Sequence, residues 1–424
     1  MIRVRISENN WLTIAGWVSI IVNNNPQGGR PTLKKKTFTV ILACTLILAL
    51  LAGCGGGGQQ PSGGGDQPTG EPAPETIQIG GIGPLSGGYA NYGTGANNGA
   101  KIAVEEINAN GGIAGKQIEL RFEDSQGDPE SAVNAYGLLM DWGMDVSLGC
   151  VFSGETASVV AAAREDDILV LTPTGSADNA IVGNDKAFRV CFYDSFQGAA
   201  AADYIADNGL ATEVGIFYES DYDYSKGLYT SFVDECAVKG ITIKETQTFT
   251  TSTNTDFSTQ INALAASGVK VIFIPIYAEE ASTFLTQARG KFGDDVYFFG
   301  ADGLDGILGK VEQDPTIANN VLMLTPFAAD STDPAVQSFV SAYQAAYGAT
   351  PDQFAADGYD AIYVIKAAIE KAGGSLSGTD LAAAMTQIEV AGITGTMTWG
   401  TDGNTSKAAS AILYYDGVGS LFAK

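Results

Sequence analysis

Hydroxyl groups, aromatic rings and one well-placed carboxylate, Asp302, follow a series of apolar segments that the sequence predicts to be β-strands. The segments that carry these groups are LSGGYANYG (85–93), FSGET (152–156), PTGS (173–176), ESDYDYSKG (219–227), Tyr277 and ADG (301–303). In open α/β sheets, ligands bind beyond the carboxyl ends of the strands. These side chains therefore have the types and positions needed to bind a small polar molecule at such an edge.

The absence of histidine from the 424 residues removes several kinds of chemistry. It excludes Ser-His-Asp and Cys-His nucleophiles and His-ligated metals. Cys150, Cys191 and Cys236 lack a CxxC spacing, so we expect buried free thiols, with at most one pair, rather than a metal or redox site. A hydrolase that uses two carboxylates is the remaining enzymatic alternative, but these loops place no second carboxylate beside Asp302. We therefore expect a binding protein that needs no cofactor or metal, not an enzyme.

Charge limits the partners of the chain. Its formal net charge is −25. A chain of this charge repels nucleic acid and anionic bilayers. We expect no nucleic-acid partner.

Residues 33–54 have the features of a lipoprotein signal. Three lysines at 34–36 precede an apolar run at 40–52, which is shorter than the roughly 20 residues that a membrane-spanning helix needs. The run ends in Leu51-Ala52-Gly53-Cys54, which resembles the bacterial lipobox and predicts a signal peptide at 33–53 with lipid attachment at Cys54. An ordinary cleavage site with an incidental cysteine is the alternative. The Gly- and Pro-rich segment at 54–75 then predicts a flexible tether.

The segment before this signal is unexpected, because signal peptides begin close to the start codon. Residues 1–32 precede it and contain PQGGRP (26–31), which interrupts any continuous element. We interpret residues 1–32 as a leader assigned in error. Our hypothesis is that translation starts at Leu33 through an alternative start codon.

From residue 76 onward, apolar segments alternate regularly with segments of helical periodicity. Near-continuous apolar strands between helices predict an α/β fold with parallel sheets covered on both faces. The folded part exceeds the roughly 250–300 residues at which one core usually stops growing, so we expect two domains. The glycines of GGIGPLSGG (80–88) do not match the dinucleotide-binding pattern GxGxxG, and Pro84 lies where its phosphate-binding turn would be.

In this order, several segments resemble the leucine/isoleucine/valine-binding receptors of bacterial ABC transporters. The segments are GPLSG, INANGGIAGKQIEL, VFSG, TPTGS, DYSKG, FGADG, TPFAAD, PDQFAADGYDA and GITGTMTW. The resemblance covers residue 76 to the C-terminus. It implies a type I periplasmic-binding fold of two lobes, each a mainly parallel sheet with helices on both faces. Three crossovers, expected near Asp194, Thr325 and Lys407, would join lobe 1 (76–194 and 326–407) to lobe 2 (195–325 and 408–424).

The resemblance also implies roles for individual residues. The Ser153 hydroxyl and nearby N–H groups would hold an α-carboxylate, and a helix N-terminus at that place suits an anion. Ser176, with the Thr174 backbone, would share that task and contact the α-ammonium. Asp302 would be the counter-ion of the ammonium from the other lobe, because a buried unpaired charge is costly. The residues that would line the cleft are Tyr92, Phe152, Tyr224 and Tyr277.

Each of these residues has a structural alternative. Ser153 is of the type that commonly caps a helix. Asp302 precedes a glycine and is of the type that forms turns. Tyr224 and Tyr277 could instead lie on a rim without contacting a ligand.

Two further residues leave the chemical class of the ligand undecided. Glu155 lies beside the expected carboxylate site, where it either complements the helix dipole or turns inward and favours an amide or a more cationic ligand. Gly154 follows Ser153, so a second hydroxyl is missing there. A branched-chain ligand is therefore implied by the resemblance alone.

Together these observations predict a monomeric, lipid-anchored, extracytoplasmic solute-binding protein. It would close two lobes around a branched-chain or other aliphatic amino acid and deliver it to an ABC permease. The alternatives are a ligand sensor for a signalling partner and a binder of an amide-type or other non-amino-acid ligand.

Overall fold

The structure of the chain, a computed structural model, describes residues 2–7, 10–14, 76–405 and 407–422. Strands β1 (Ile2–Ser7) and β2 (Asn10–Ile14) pair antiparallel and belong to one unit of the chain, and residues 76–422 belong to another. The predicted start at Leu33, the signal at 33–53, Cys54 and the tether up to residue 75 lie outside the described residues. No helix within the described ranges is long and apolar enough to cross a membrane.

Strands and helices alternate through most of residues 76–422. The further strands are β3 (Thr76–Gly83), β4 (Gln117–Asp124), β5 (Val146–Cys150), β6 (Leu169–Thr172), β7 (Ala187–Arg189), β8 (Glu213–Glu219), β9 (Thr242–Phe249), β10 (Val271–Phe273), β11 (Tyr297–Gly300), β12 (Val321–Thr325), β13 (Glu389–Gly392), β14 (Gly395–Thr398), β15 (Ser410–Tyr415) and β16 (Val418–Leu421). The helices are α1 (Ala90–Ala109), α2 (Pro129–Trp142), α3 (Ser153–Ala162), α4 (Asp194–Asp207), α5 (Asp223–Lys239), α6 (Ser258–Ser267), α7 (Ala278–Ala288), α8 (Ile307–Lys310), α9 (Pro334–Tyr347), α10 (Gln353–Lys371) and α11 (Gly378–Met385).

Five strands form a sheet in the order β4-β3-β5-β6-β7, and all of its pairs are parallel. One face is covered by α1, α10 and α11, whose apolar residues pack on Ile79 and Leu148. The other face is covered by α2 and α3, which pack on Ile82 and Val170. Burial on both faces explains why the inner strands β5 and β6 are near-continuous apolar runs, whereas the edge strand β4 is only partly buried and alternates.

Seven strands form the second sheet, in the order β16-β15-β12-β11-β10-β8-β9. The strands from β12 to β9 pair parallel, and β15 and β16 add an antiparallel edge. Helices α4 to α7 contribute to its core, where Phe217 stacks on Phe284 and Phe232 stacks on Phe273. Each sheet has its own core, as expected for a chain too long for one.

One predicted strand of this sheet is much shorter than expected. The apolar run at 269–277 predicts a single strand, but β10 ends at Phe273. Pro275 lies in the run and has no N–H for the ladder. Its carbonyl instead accepts a hydrogen bond from the Ser225 hydroxyl at 2.6 Å, which ties the end of this segment to α5.

The chain passes between the two sheets three times. The first passage follows β7 and reaches Asp194, the second follows Thr325 at the end of β12, and the third precedes β15. Polar contacts are buried at the last two: the Thr325 hydroxyl donates to Gln353 at 2.8 Å, and Lys407 pairs with Asp357 at 2.7 Å. These contacts fix the connections through directed interactions rather than by apolar packing alone.

Cys150, Cys191 and Cys236, the cysteines of the described residues, are buried and unpaired, which confirms the expectation of free thiols. Burial raises the pKa of Cys150, Cys191 and Cys236 above the ordinary value of a thiol. Because the thiolate is the reactive form, these residues act as small core side chains.

Helices α1 and α10 approach closely because glycines face the opposing backbone. A Cβ atom on Gly99 would lie 1.8 Å from the Ala355 carbonyl oxygen, and one on Gly358 would lie 2.2 Å from that of Ala96. Neither backbone atom can move away without separating the two helices.

We expect Gly99→Ala to lower the free energy of unfolding by about 1–3 kcal/mol, since the methyl group overpacks this contact. Gly137→Ala is the matched control, because Gly137 lies in α2 with nothing within 4 Å of an added Cβ. Ala there should raise the free energy of unfolding by roughly 0.5–1 kcal/mol. Urea unfolding followed by circular dichroism measures both, and equal stabilities of the two variants would contradict the prediction.

Candidate functional site

The loop after β5 leads directly into α3. Phe152 is the N-cap residue and makes no side-chain capping bond, while Ser153 is the first helical residue. The N-cap alternative for Ser153 is therefore wrong. Its hydroxyl is buried and accepts a hydrogen bond from the Ala177 N–H at 3.0 Å. Ser153 thus joins the start of α3 to the loop after β6.

The loop after β6 is organised by a residue that the sequence analysis missed. Arg189, at the end of β7, is fully buried and donates from Nη1 to the carbonyls of Gly175 (3.1 Å) and Ser176 (2.6 Å). Its Nη2 donates to the carbonyl of Ala177 at 3.0 Å. The Thr174 hydroxyl is used internally, because it donates to the Val151 carbonyl at 2.7 Å. A positive charge therefore lies directly behind the turn that carries Ser176.

Asp302 lies just beyond β11 and is buried. Its Oδ1 accepts hydrogen bonds from the Tyr224 hydroxyl at 2.8 Å and from the Gly303 N–H at 2.9 Å. Its own N–H donates to Gln197 at 3.1 Å. The bond to Gly303 is the predicted turn contact, but the link to Tyr224 goes beyond it. Burial raises the pKa of Asp302 to about 7, and its hydrogen bonds only partly oppose this effect.

A second carboxylate lies near Asp302, and the expectation that none does is wrong. Asp194 begins α4 and donates its N–H to the Ser176 carbonyl at 3.0 Å. Its side chain is fully buried. The Ser176 hydroxyl approaches it, yet neither carboxylate oxygen has a well-formed hydrogen bond from the described residues. Burial and the charge of Asp302 raise the pKa of Asp194. Asp194 thus lies between the Ser176 turn and Asp302.

Four predicted aromatic residues meet in one cluster. Tyr224 stacks on Tyr277 with a centroid distance of 4.7 Å, and Phe152 packs on Tyr277 at 4.6 Å. Tyr92 contacts Phe152 at 5.3 Å and Tyr277 at 5.4 Å. Tyr224 and Tyr277 are buried, which contradicts the alternative of a rim position.

Tyr92 links the loops of the two sheets. Its hydroxyl donates to the Gly303 carbonyl at 2.6 Å and accepts a hydrogen bond from the Ala278 N–H at 2.8 Å. The eight predicted residues therefore form two neighbouring groups. The hydroxyl groups of Ser153, Thr174 and Ser176 surround the Arg189 turn, and the aromatic cluster with Asp302 lies beside them.

Glu155 turns inward, toward the start of its own helix. Its carboxylate accepts hydrogen bonds from the Ser125 hydroxyl at 2.7 Å and from the Phe152 N–H at 3.5 Å. The second contact fits the interpretation that Glu155 complements the helix N-terminus. Burial raises the pKa of Glu155 to about 7.

Comparison with known proteins agrees with this geometry. Residues 76–417 match the family described as periplasmic binding protein. A relative from Brucella melitensis biotype 1, named Leu/Ile/Val-binding protein homolog 3, is 30% identical over 349 residues, or 80% of this chain and 91% of that protein.

Two solved structures are similar along the same region. One is a branched-chain amino acid transporter substrate-binding protein from Streptococcus pneumoniae in complex with isoleucine (TM-score 0.75, 29% identity, 82% of this chain and 99% of that one). The other is a leucine-binding protein from Thermotoga maritima (TM-score 0.75, 27% identity, 82% and 98%). They confirm the predicted α/β fold class and the predicted resemblance. The chain therefore belongs to the periplasmic binding protein family, in the group that includes the Leu/Ile/Val-binding proteins.

Proposed function

We propose that this protein binds an α-amino acid between two lobes and delivers it to an ABC importer outside the cytoplasm. The observation that carries the proposal is a separation of opposite charges across a buried site. Arg189 lies behind the Ser176 turn, and the carboxylates of Asp302 and Asp194 lie beside it. A zwitterion presents the complementary pair of charges.

The carboxylate of the ligand would bind at the Ser153–Ser176 side. Free N–H groups at the start of α3 and the field of Arg189 both favour an anion there. The guanidinium is fully buried and makes its hydrogen bonds to neutral carbonyls. An arriving carboxylate would therefore add charge–charge attraction to a guanidinium whose hydrogen bonds go to neutral carbonyls.

The ammonium would bind between Asp302 and Asp194. Asp302 accepts two hydrogen bonds at Oδ1, and Asp194 accepts none of good geometry from the described residues. The faces of Tyr224 and Tyr277 would add cation–π attraction.

Lobe closure would complete the site. The proposed lobes are 76–194 with 326–407 and 195–325 with 408–424, joined near Asp194, Thr325 and Lys407. Exclusion of water on closure strengthens each ion pair, so the ligand favours the closed state. The names of relatives make leucine, isoleucine and valine the first compounds to test. We propose that the protein acts as a monomer.

Loss of the Asp302 charge should abolish tight binding. For Asp302→Asn we expect affinity for the best amino-acid ligand to fall by roughly 30-fold to several thousand-fold, or about 2–5 kcal/mol. Isothermal titration calorimetry measures this after a thermal-shift screen has identified that ligand. Asp295→Asn is the control, because Asp295 precedes the same strand, is exposed and pairs with Lys270 at 2.7 Å. Equal affinities of Asp302→Asn and the wild type would refute the role given to Asp302.

The Asp302 carboxyl group should lower the free energy of unfolding of the ligand-free protein as pH rises. The pKa of Asp302 is about 7 in the folded chain, against an ordinary value of 3.8. The folded state therefore holds this proton more tightly, and its contribution to stability is lost as pH rises from about 4 through 7. Asp302→Asn should unfold at higher urea than the wild type at pH 8, and this advantage should shrink at pH 5. An advantage that is the same at both pH values would contradict this assignment.

We also propose that Cys54 carries the lipid anchor and that the segment at 54–75 tethers the body to the membrane. The lipobox-like Leu51-Ala52-Gly53-Cys54 supports this. In a bacterial host, Cys54→Ala should abolish incorporation of labelled palmitate into the full chain. Cys44→Ala, inside the predicted signal, should leave incorporation unchanged. Labelling that persists in Cys54→Ala would contradict the anchor.

A further inference from the structure

A set of acidic residues lies at the outer end of the aromatic cluster. Tyr89 packs on Phe152 at 5.5 Å and on Tyr277 at 6.0 Å, and its hydroxyl donates to Glu280 Oε1 at 2.5 Å. Glu280 is only 3% exposed, and its Oε2 has no hydrogen-bond partner among the described residues. A buried carboxylate oxygen without a donor is costly unless something else binds there.

Glu219, at the end of β8, belongs to the same set. It is 8% exposed and accepts a hydrogen bond from the Thr251 hydroxyl at 2.8 Å. Burial and the nearby charge of Glu280 raise the pKa of Glu219 to about 7. Two carboxylates of the second sheet's loops therefore lie within electrostatic reach of each other.

Tyr222 connects these glutamates to the loops of the first sheet. A Cβ atom on Gly154 would lie 4.0 Å from its hydroxyl oxygen, and its ring contacts Tyr277 at 5.9 Å. Burial, followed by the charges of Glu155, Glu219 and Glu280, raises the pKa of Tyr222. Carboxylates from both sides of the cleft thus face one phenol.

No lysine or arginine neutralises these three glutamates within residues 76–405 and 407–422. The basic side chain at this rim is Lys310, which pairs with the half-buried Glu279 at 2.8 Å and donates to the Gly88 carbonyl. Arg189 is bound to its own turn, next to Asp194 and Asp302. Carboxylates therefore outnumber basic groups at both ends of the aromatic cluster.

We infer that the ligand carries a second basic group, an ammonium or guanidinium on its side chain, that binds between Glu219 and Glu280 beneath Tyr89 and Tyr222. The inference rests on the proposed function and names the amino-acid class as basic. A cation there supplies the donor that Glu280 Oε2 lacks and meets the faces of electron-rich rings. An aliphatic side chain would exclude water and leave that oxygen buried without a partner.

Matched pairs of ligands isolate the side-chain charge. Calorimetry on ligand-free protein compares lysine with norleucine and arginine with citrulline, each pair having the same backbone and a similar side-chain length. We expect lysine, arginine or both to bind at least tenfold more tightly than the neutral analogue. Norleucine or citrulline binding as tightly as its charged partner would overturn the inference.

Two variants test whether Glu280 causes the preference for the positively charged ligand. Glu280→Gln should reduce the preference for the charged ligand by about the same tenfold factor and leave norleucine binding equal or tighter. Glu279→Gln, at the neighbouring half-buried glutamate that pairs with Lys310, should leave the preference unchanged. A preference that survives in Glu280→Gln, with thermal unfolding showing a folded variant, would contradict the proposed location.

Different binding results would show that the ligand is not basic or that the protein does not bind amino acids. Leucine binding that is lost in Asp302→Asn, together with no binding of lysine or arginine, would overturn the inference and leave the proposed function standing. No binding of any α-amino acid would overturn the proposed function and with it the inference. Agmatine binding as tightly as arginine would support the basic subsite but contradict recognition of an α-carboxylate.

Discussion

A buried guanidinium and the turn that surrounds it fix the geometry on which the site depends. Arg189 draws three consecutive carbonyls, from Gly175 to Ala177, toward one planar fork. With the carbonyls so directed, the Ala177 N–H reaches Ser153, and the Ser176 carbonyl also accepts the N–H of Asp194. The starts of α3 and α4 are therefore both tied to this turn. Arginine suits this role, because its several donors are held in a rigid plane.

The buried carboxyl groups of the cleft lower the stability of the folded chain, and the packing around the cleft compensates for this loss. Carboxyl groups with raised pKa values are held where water is excluded, which favours their neutral form until a cation arrives. The aromatic cluster that separates them contributes buried area and edge-to-face contacts. Each sheet beneath it has its own core. The two sheets therefore supply the stability of the fold. The loops that join them contain the buried polar groups that recognise the ligand, and these groups lower that stability.

The sequence predicts the alternation of strands and helices well, because parallel strands covered on both faces are continuous apolar runs. It also predicts which loops meet, since the carboxyl ends of such strands share one edge of the sheet. Arg189 and Asp194 are missed as site residues because Arg189 ends β7 and Asp194 lies at the crossover after it, outside the strand-end loops that carry the predicted residues. The early end of β10 is missed because one proline decides it. Glu280 is missed because its importance depends on Tyr89, far away in the sequence.

Asp194 connects the first crossover between the sheets to the proposed ligand site. Its backbone N–H is bonded to the Ser176 turn, and its carboxylate faces Asp302, which follows a strand of the other sheet. The residue also starts α4, whose Gln197 bonds to the Asp302 N–H. Because α4 is bonded to Asp302, a change in the angle between the proposed lobes would move the Ser176 turn relative to both carboxylates. A ligand that contacts the turn with its carboxylate and the two aspartates with its ammonium would then favour one lobe angle. In the proposed mechanism, the free energy of ligand binding therefore acts at the first crossover itself.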